Sequence, residues 1–316
     1  MEQSPTHDGN IVAYYDLKTA PITFDFCHFI VAAVSYAKLL GKPDIDLVIV
    51  VDGYRNLTPR ELSYTLTVRT WRLWNLIVEI TKLVPAVRNL TIAQRPLNVV
   101  AAHAYPKDYH PIYNNKTPYS IPFVTKFHNH GADVRCFQPS RYAVEAAENL
   151  VPRTGKKLIS ITLRKAAHDP QRDSKLDDWR DFIEVLHERG YQVVVIPDQD
   201  DSLGGRKIHG YGWNVLDVAA MSLDLRLAIY QHCDMNYVTN GGLVGLFMYS
   251  KVPFMWFSVI VEGSAVANRE YYKRQGLEYG QKFAWMADNQ EMIWEPDTVV
   301  NLTASLARIK FDSGEE

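Results

Sequence analysis

Short unbroken apolar runs alternate with segments of helical period along the chain. Ile11–Tyr15 and Leu47–Val51 are apolar stretches of strand length. Between them Phe24–Leu40 carries apolar residues at helical spacing and stops at Gly41. Thr58 followed by Pro59 predicts a helix cap, with the helix running to about Leu83. Leu90–Ala93 and Val99–Ala102 predict two further short strands, and Tyr105–Tyr119, rich in Pro, Tyr, Asn and Lys, has no period and reads as a loop.

A second series follows. Ser140 predicts the cap of a helix reaching Leu150, and Leu158–Leu163 is a strand. Ser174-Lys-Leu-Asp177 predicts a capping box before a helix whose apolar face holds Leu176, Trp179, Ile183 and Leu186. Tyr191–Ile196 is apolar throughout, as a strand buried on both faces should be. Leu223–Cys233 is helical. Met235–Val238 is a strand running into Thr239-Asn240-Gly241-Gly242, then a small-residue helix, Lys251-Val-Pro253 and another strand. Repeated strand–helix alternation predicts an α/β chain of two doubly wound Rossmann-like domains, residues 1–140 and 141–316, facing across a cleft. Ligands of such sheets bind at the carboxyl ends of the strands.

Composition narrows the function. The chain has 316 residues, 47% of them apolar and 22% charged, with a net charge of −2. That balance gives no electrostatic case for nucleic acid or an anionic membrane. The N-terminus, MEQSPTHDGN, is not a signal peptide, and Phe24–Leu40, interrupted by Asp25, His28 and Ser35, falls short of a membrane span. The expected location is the cytoplasm. Cys27, Cys136 and Cys233 are scattered without metal spacing and read as reduced thiols. The sequons at Asn56, Asn89, Asn115 and Asn301 are read as chance.

Three stretches carry candidate chemistry. Arg164 and Lys165 sit just past a strand end, where a guanidinium fork and an ammonium match a diphosphate; a solvated loop is the plainer reading. Asn240, Gly241 and Gly242 open a helix with no side chains over its amides, which suits a phosphate or simply close packing. Asp198 and Gln199 follow the next strand, where a carboxylate can accept from a ribose hydroxyl or a base N–H, or merely cap the turn. His128-Asn-His130 reads better as satisfied polar histidines than as a metal site, and no other metal spacing is present. No GxSxG, P-loop or GxGxxG occurs. Tyr64, Trp71 and Trp74 read as core, with a sugar-stacking platform as the other option. Tyr105, Tyr109 and Tyr113, in a loop with no core to fill, are candidates for binding an acceptor.

Thr162-Leu163-Arg164-Lys165, followed by Thr239-Asn240-Gly241-Gly242 and Ser250-Lys251-Val252-Pro253, resembles the nucleotide-sugar domain of GT-B glycosyltransferases. The first stretch is similar to the HxRR motif of the fucosyltransferase-like branch, without its His and with Lys for the second Arg. The others are similar to the strand–Gly-Gly–helix–GKP unit of the heptosyltransferase-like branch. The resemblance covers residues 155–260 well and the N-terminal half in outline. It implies transfer of a sugar from a nucleoside-diphosphate donor to the hydroxyl of a glycan or glycoconjugate, inverting, with no metal and no cofactor beyond the donor. A nucleotide- or glycan-binding protein without transfer, or a nucleotide-sugar epimerase, is the alternative. In this family the acceptor-side domain is N-terminal and carries a catalytic Asp at the start of its first helix, which favours Asp25; Asp16, at the first strand end, stays a second candidate.

Overall fold

The computed structural model describes residues 9–51, 64–94, 99–112, 117–166, 169–199, 207–309 and 311. The chain divides into two compact units, Met1–Gln138 and Pro139–Glu316.

The first unit is built on a parallel sheet of four strands: β1 (Ile11–Asp16), β2 (Ile45–Val50), β3 (Val87–Ala93) and β4 (Ala104–Tyr105), in the order β3-β2-β1-β4. Every residue of β1 is buried, as its unbroken apolar run requires of a strand covered on both faces. Helix α1 (Phe26–Leu39) covers it with a side made of Phe26, Phe29, Ile30 and Ala33. The expected strand at Val99–Ala102 is not formed: Ala101–His103 is a 3-10 turn, and the strand is the next two residues, paired to Val12 and Ala13. Pro106, lacking an N–H, cannot extend it. The cap expected at Thr58 lies outside the described residues. Within them the helix starts at Leu66, where the Thr65 hydroxyl accepts from the Val68 N–H, and it passes through a π-helical segment at Leu73–Val78. Trp74 on that helix is 52% exposed, so it is not the core residue its aromatic pattern suggests.

The second unit carries five parallel strands: β5 (Leu158–Leu163), β6 (Gln192–Pro197), β7 (Met235–Thr239), β8 (Phe254–Phe257) and β9 (Gln290–Met292). Their order is β6-β5-β7-β8-β9. Chain progression therefore reverses between β5 and β7, and such a switch point leaves a crevice at the carboxyl ends of those two strands. One face of this sheet is sealed by Trp179, Phe182, Tyr237, Met255 and Phe257. Trp179 is completely buried, and its indole N–H donates to Asp297 at 2.7 Å. Truncating such a side chain to alanine costs about 3–5 kcal/mol. Two polar side chains inside the sheet satisfy each other: Ser160 donates to Asn236, whose amide bonds the Tyr230 and Pro253 carbonyls.

Candidate functional site

Register brings the second unit's candidates together. Thr162 pairs with Val238, so Arg164 and Asn240 both stand two residues further on, side by side at the switch point. Arg164 is buried at 7% exposure, and an added Cβ on Gly241 would lie 3.6 Å from its Cδ. The guanidinium is not free: it forms an ion pair with Asp173 at 2.5 Å and donates to the Asp169 carbonyl at 3.0 Å. Lys165 reaches the other oxygen of Asp173 at 3.4 Å. Burial and the neighbouring Arg172 both pull the Arg164 pKa down, opposed by Asp173, Asp198 and Asp169.

Several partners in this cluster carry no motif and were invisible in the sequence. Arg172 pairs with Asp169 at 3.3 Å and donates to the Asn240 side-chain oxygen at 2.9 Å. Asp169 holds a left-handed backbone, φ 59°, and accepts from Ser264 at 3.0 Å. Ser258, at the end of β8, is likewise left-handed, φ 53°. A non-glycine residue in that region costs of order 1–3 kcal/mol and persists where its surroundings fix it. Here the fixing groups are visible: Ser258 bonds Asp297, and its carbonyl accepts from Asn240. The only sequence signal for Arg172 was its place in the same basic loop as Arg164.

Three expectations need correction. The capping box at Ser174 does not form. Lys175 occupies the cap position, while the Ser174 hydroxyl accepts from the Arg164 N–H at 2.8 Å and bonds the Thr239 hydroxyl at 3.0 Å. A hydroxyl placed between two strand ends finds partners there sooner than at the helix it precedes. Asn240 is not an open ligand donor. It is 3% exposed, and its amide N–H groups bond the Ser258 and Val259 carbonyls at 3.1 and 2.9 Å. The helix after the glycine pair is only Val244–Met248, preceded by a turn at Gly241–Leu243. Five residues sum to little dipole, so what the turn offers an anion is local amide geometry. Gly242 is exposed and Gly241 half-buried. Asp198 is half-buried and close enough to Arg164 to act on its charge, while Gln199 is buried at 3% exposure.

In the first unit, Asp16 ends β1 with no exposed surface. One oxygen accepts from the Lys18 N–H at 2.9 Å and the other from the Tyr109 hydroxyl at 3.2 Å. Tyr109 lies flat on Tyr14, ring centroids 4.3 Å apart, and burial followed by the Asp16 charge drives its hydroxyl pKa far up. Asp25 directly precedes α1, half-buried, and accepts from the Thr23 hydroxyl at 2.9 Å. Burial lowers the pKa of His28, one turn on, and the Asp25 charge raises it in part. Tyr105 is 5% exposed among Phe29, Tyr36 and Phe127. The segment read as a loop therefore does fill a core, Tyr105 as the last residue of β4 and Tyr109 beyond it, and neither is an open acceptor contact. Tyr113 lies outside the described residues.

The cysteines are free, and burial raises Cys136 and Cys233 to about 12, so neither is a ready nucleophile. His130 bonds the Lys126 carbonyl at 2.7 Å. Among the described residues no group of three His, Cys, Asp or Glu side chains is placed to hold a metal, and no helix is long and apolar enough to cross a membrane.

No protein-family model matches the sequence, and no curated protein sequence does. Among solved structures, a glycosyl transferase of family 9 from Veillonella parvula is similar, with a TM-score of 0.54 at 10% identity over 97% of this chain and 91% of that one. The E. coli heptosyltransferase WaaC, solved with ADP, gives 0.47 at 13% identity over 95% and 99%. The E. coli ADP-heptose lps heptosyltransferase II gives 0.46 at 12% over 95% and 98%. The first of these likenesses, together with the two parallel α/β sheets, shows that the chain has the GT-B fold.

Proposed function

We propose that the protein is a glycosyltransferase that moves a sugar from a nucleoside-diphosphate donor to an acceptor hydroxyl, inverting and without a metal. The observation that carries this reading is the closeness of the Arg164 side chain to Gly241, its Cδ 3.6 Å from where a Cβ would stand, at the switch point of the second sheet. A diphosphate lodged there would meet backbone amides of the Gly241–Leu243 turn, with Arg164 and Arg172 as counter-charge and Lys165 at the rim. Fixed donors aimed at the departing diphosphate lower the barrier because they need no reorganisation as charge develops. Asp173 and Asp169 hold the two guanidiniums in place until the donor arrives and offset the repulsion between them. Asp198 is the candidate contact to the nucleoside. The family 9 likeness supports the reading through fold alone.

The attacking hydroxyl needs a base within hydrogen-bond reach. Asp25 is the better candidate of the two carboxylates. Asp16 is sealed from solvent with both oxygens engaged, the environment of a loop brace. Asp25 is only half-buried, and its side chain accepts from the Thr23 hydroxyl, which can rotate away.

A thermal-shift series with ADP, GDP, UDP and CDP tests donor binding. The preferred nucleotide at 100-fold its Kd should add about 2.7 kcal/mol. Asp25→Asn should keep that shift and lose release of nucleoside diphosphate from the matching nucleotide sugar. If no nucleotide binds, the proposal fails; if Asp25→Asn turns over normally, the base assignment fails while the donor site stands.

A further inference from the structure

Helix α2 (Arg269–Arg274) borders a hollow in the second unit. Its Tyr272 is buried, packed on Trp256 and Trp294 with centroids 6.1 and 5.2 Å away. Its Arg269, Glu270 and Lys273, with Leu277, Glu278, Tyr279 and Trp294, line a cavity of about 230 Å³ that shares no residue with the Arg164–Gly241 turn.

The lining has a definite chemistry. Trp294 is fixed, because its indole N–H donates to the Gln281 carbonyl at 3.0 Å. Tyr279 stands beside it at 5.2 Å, half exposed, and the Arg269 guanidinium lies 4.7 Å over the Tyr279 ring. The apolar wall is thus largely aromatic, with Trp294 held in place. Around it two cations, Arg269 and Lys273, balance two carboxylates, Glu270 and Glu278. None of the four makes an ion pair among the described residues. A phosphate or nucleoside diphosphate would be repelled by those carboxylates about as much as it is drawn by the cations. A neutral ring bearing hydroxyls suits every part: its C–H face lies on an aromatic wall, while adjacent hydroxyls donate to a carboxylate and accept from a guanidinium or ammonium.

We propose that this cavity is a binding subsite for a neutral monosaccharide unit, distinct from the donor site. The inference does not rest on the transfer reading, since it uses no residue of that site.

Saturation-transfer NMR on the full chain, with D-glucose, D-galactose and L-fucose as probes, tests it. At least one sugar should show ring-proton signals, with a Kd of about 1 mM. Tyr279→Ala should weaken binding at least about tenfold with the melting temperature unchanged. Glu278→Gln, a milder change on an exposed side chain, should weaken it in the same direction and decides the matter if the tyrosine variant folds poorly. Gly241→Ala and saturating nucleoside diphosphate should leave the sugar signals intact. Absence of signals for all three sugars would overturn the proposal. So would signals that survive both cavity variants, or that nucleoside diphosphate displaces.

Discussion

Gly241→Ala separates what the fold needs from what a ligand needs. The backbone at Gly241 lies outside the left-handed region, and an added methyl would meet Arg164 Cδ at 3.6 Å and the Thr239 carbonyl at 3.9 Å, both ordinary van der Waals separations. The folded chain therefore has room for alanine, and the variant should be as stable as the parent or up to about 1 kcal/mol more so, because alanine restricts the unfolded chain. A phosphate oxygen must come to about 2.9 Å from an amide nitrogen, and a methyl interposed there prevents it. Losing one hydrogen bond to a charged partner costs roughly 1.5–3 kcal/mol, which is a roughly tenfold to just over hundredfold weaker Kd. Calorimetric titration with the nucleoside diphosphate chosen by thermal shift, beside a melting curve, reads both quantities. Binding within about threefold of the parent, a change of about 0.7 kcal/mol, would refute the reasoning. Arg164→Ala is the less informative variant. It takes from the Asp173 carboxylate, whose side chain is only 10% exposed, its guanidinium partner at 2.5 Å and leaves it Lys165 at 3.4 Å and the Ala166 N–H, so the variant loses stability whatever the ligand does.

Three further outcomes follow from the same contacts. Asp16→Ala should destabilise the first unit by roughly 1–3 kcal/mol in urea melts, since the Lys18 N–H and the Tyr109 hydroxyl lose their acceptor. Asp297→Ala should cost the second unit about 2–3 kcal/mol by the same measurement, because the buried Trp179 N–H and the Ser258 O–H lose their acceptor. His28 should make the first unit acid-sensitive. Its folded pKa is lowered by burial, so the unfolded chain takes up the proton first and stability falls as pH drops below about 6.5. Asp25→Asn removes the charge that partly offsets burial and should steepen that loss; a pH series of melting curves in which the variant is less acid-sensitive would contradict this sign.

The alternation of apolar runs and helical periods was enough to place β1, β2 and β5 to β8, because parallel strands buried on both faces leave an uninterrupted signal, while the exposed edge strand β3 showed only its second half, Leu90–Ala93. It failed at β4, where two paired residues are too few to carry a pattern, and at Ser174, whose motif is a local rule overridden by two strand ends that the sequence does not show to be neighbours. Arg164 and Gly241 were legible as candidates because each follows an apolar run directly. Arg172, Asp169 and Asp173 were not, since their meaning lies in contacts across the fold. The tyrosines on and after β4 misled for the converse reason: a segment without periodicity can still pack, as Tyr105 and Tyr109 do.

Asn240 sits in a loop and behaves as a keystone. Both of its N–H groups face carbonyls and its oxygen faces a guanidinium, so the position requires two donors and one acceptor in fixed directions. Aspartate matches it in shape yet would turn an oxygen toward two oxygens; leucine would strand three groups at once. Variation that alters ligand preference must therefore arise at the flanking positions, and a saturation library across 239–242 should record 240 as intolerant while 241 drifts freely in folding and narrowly in binding.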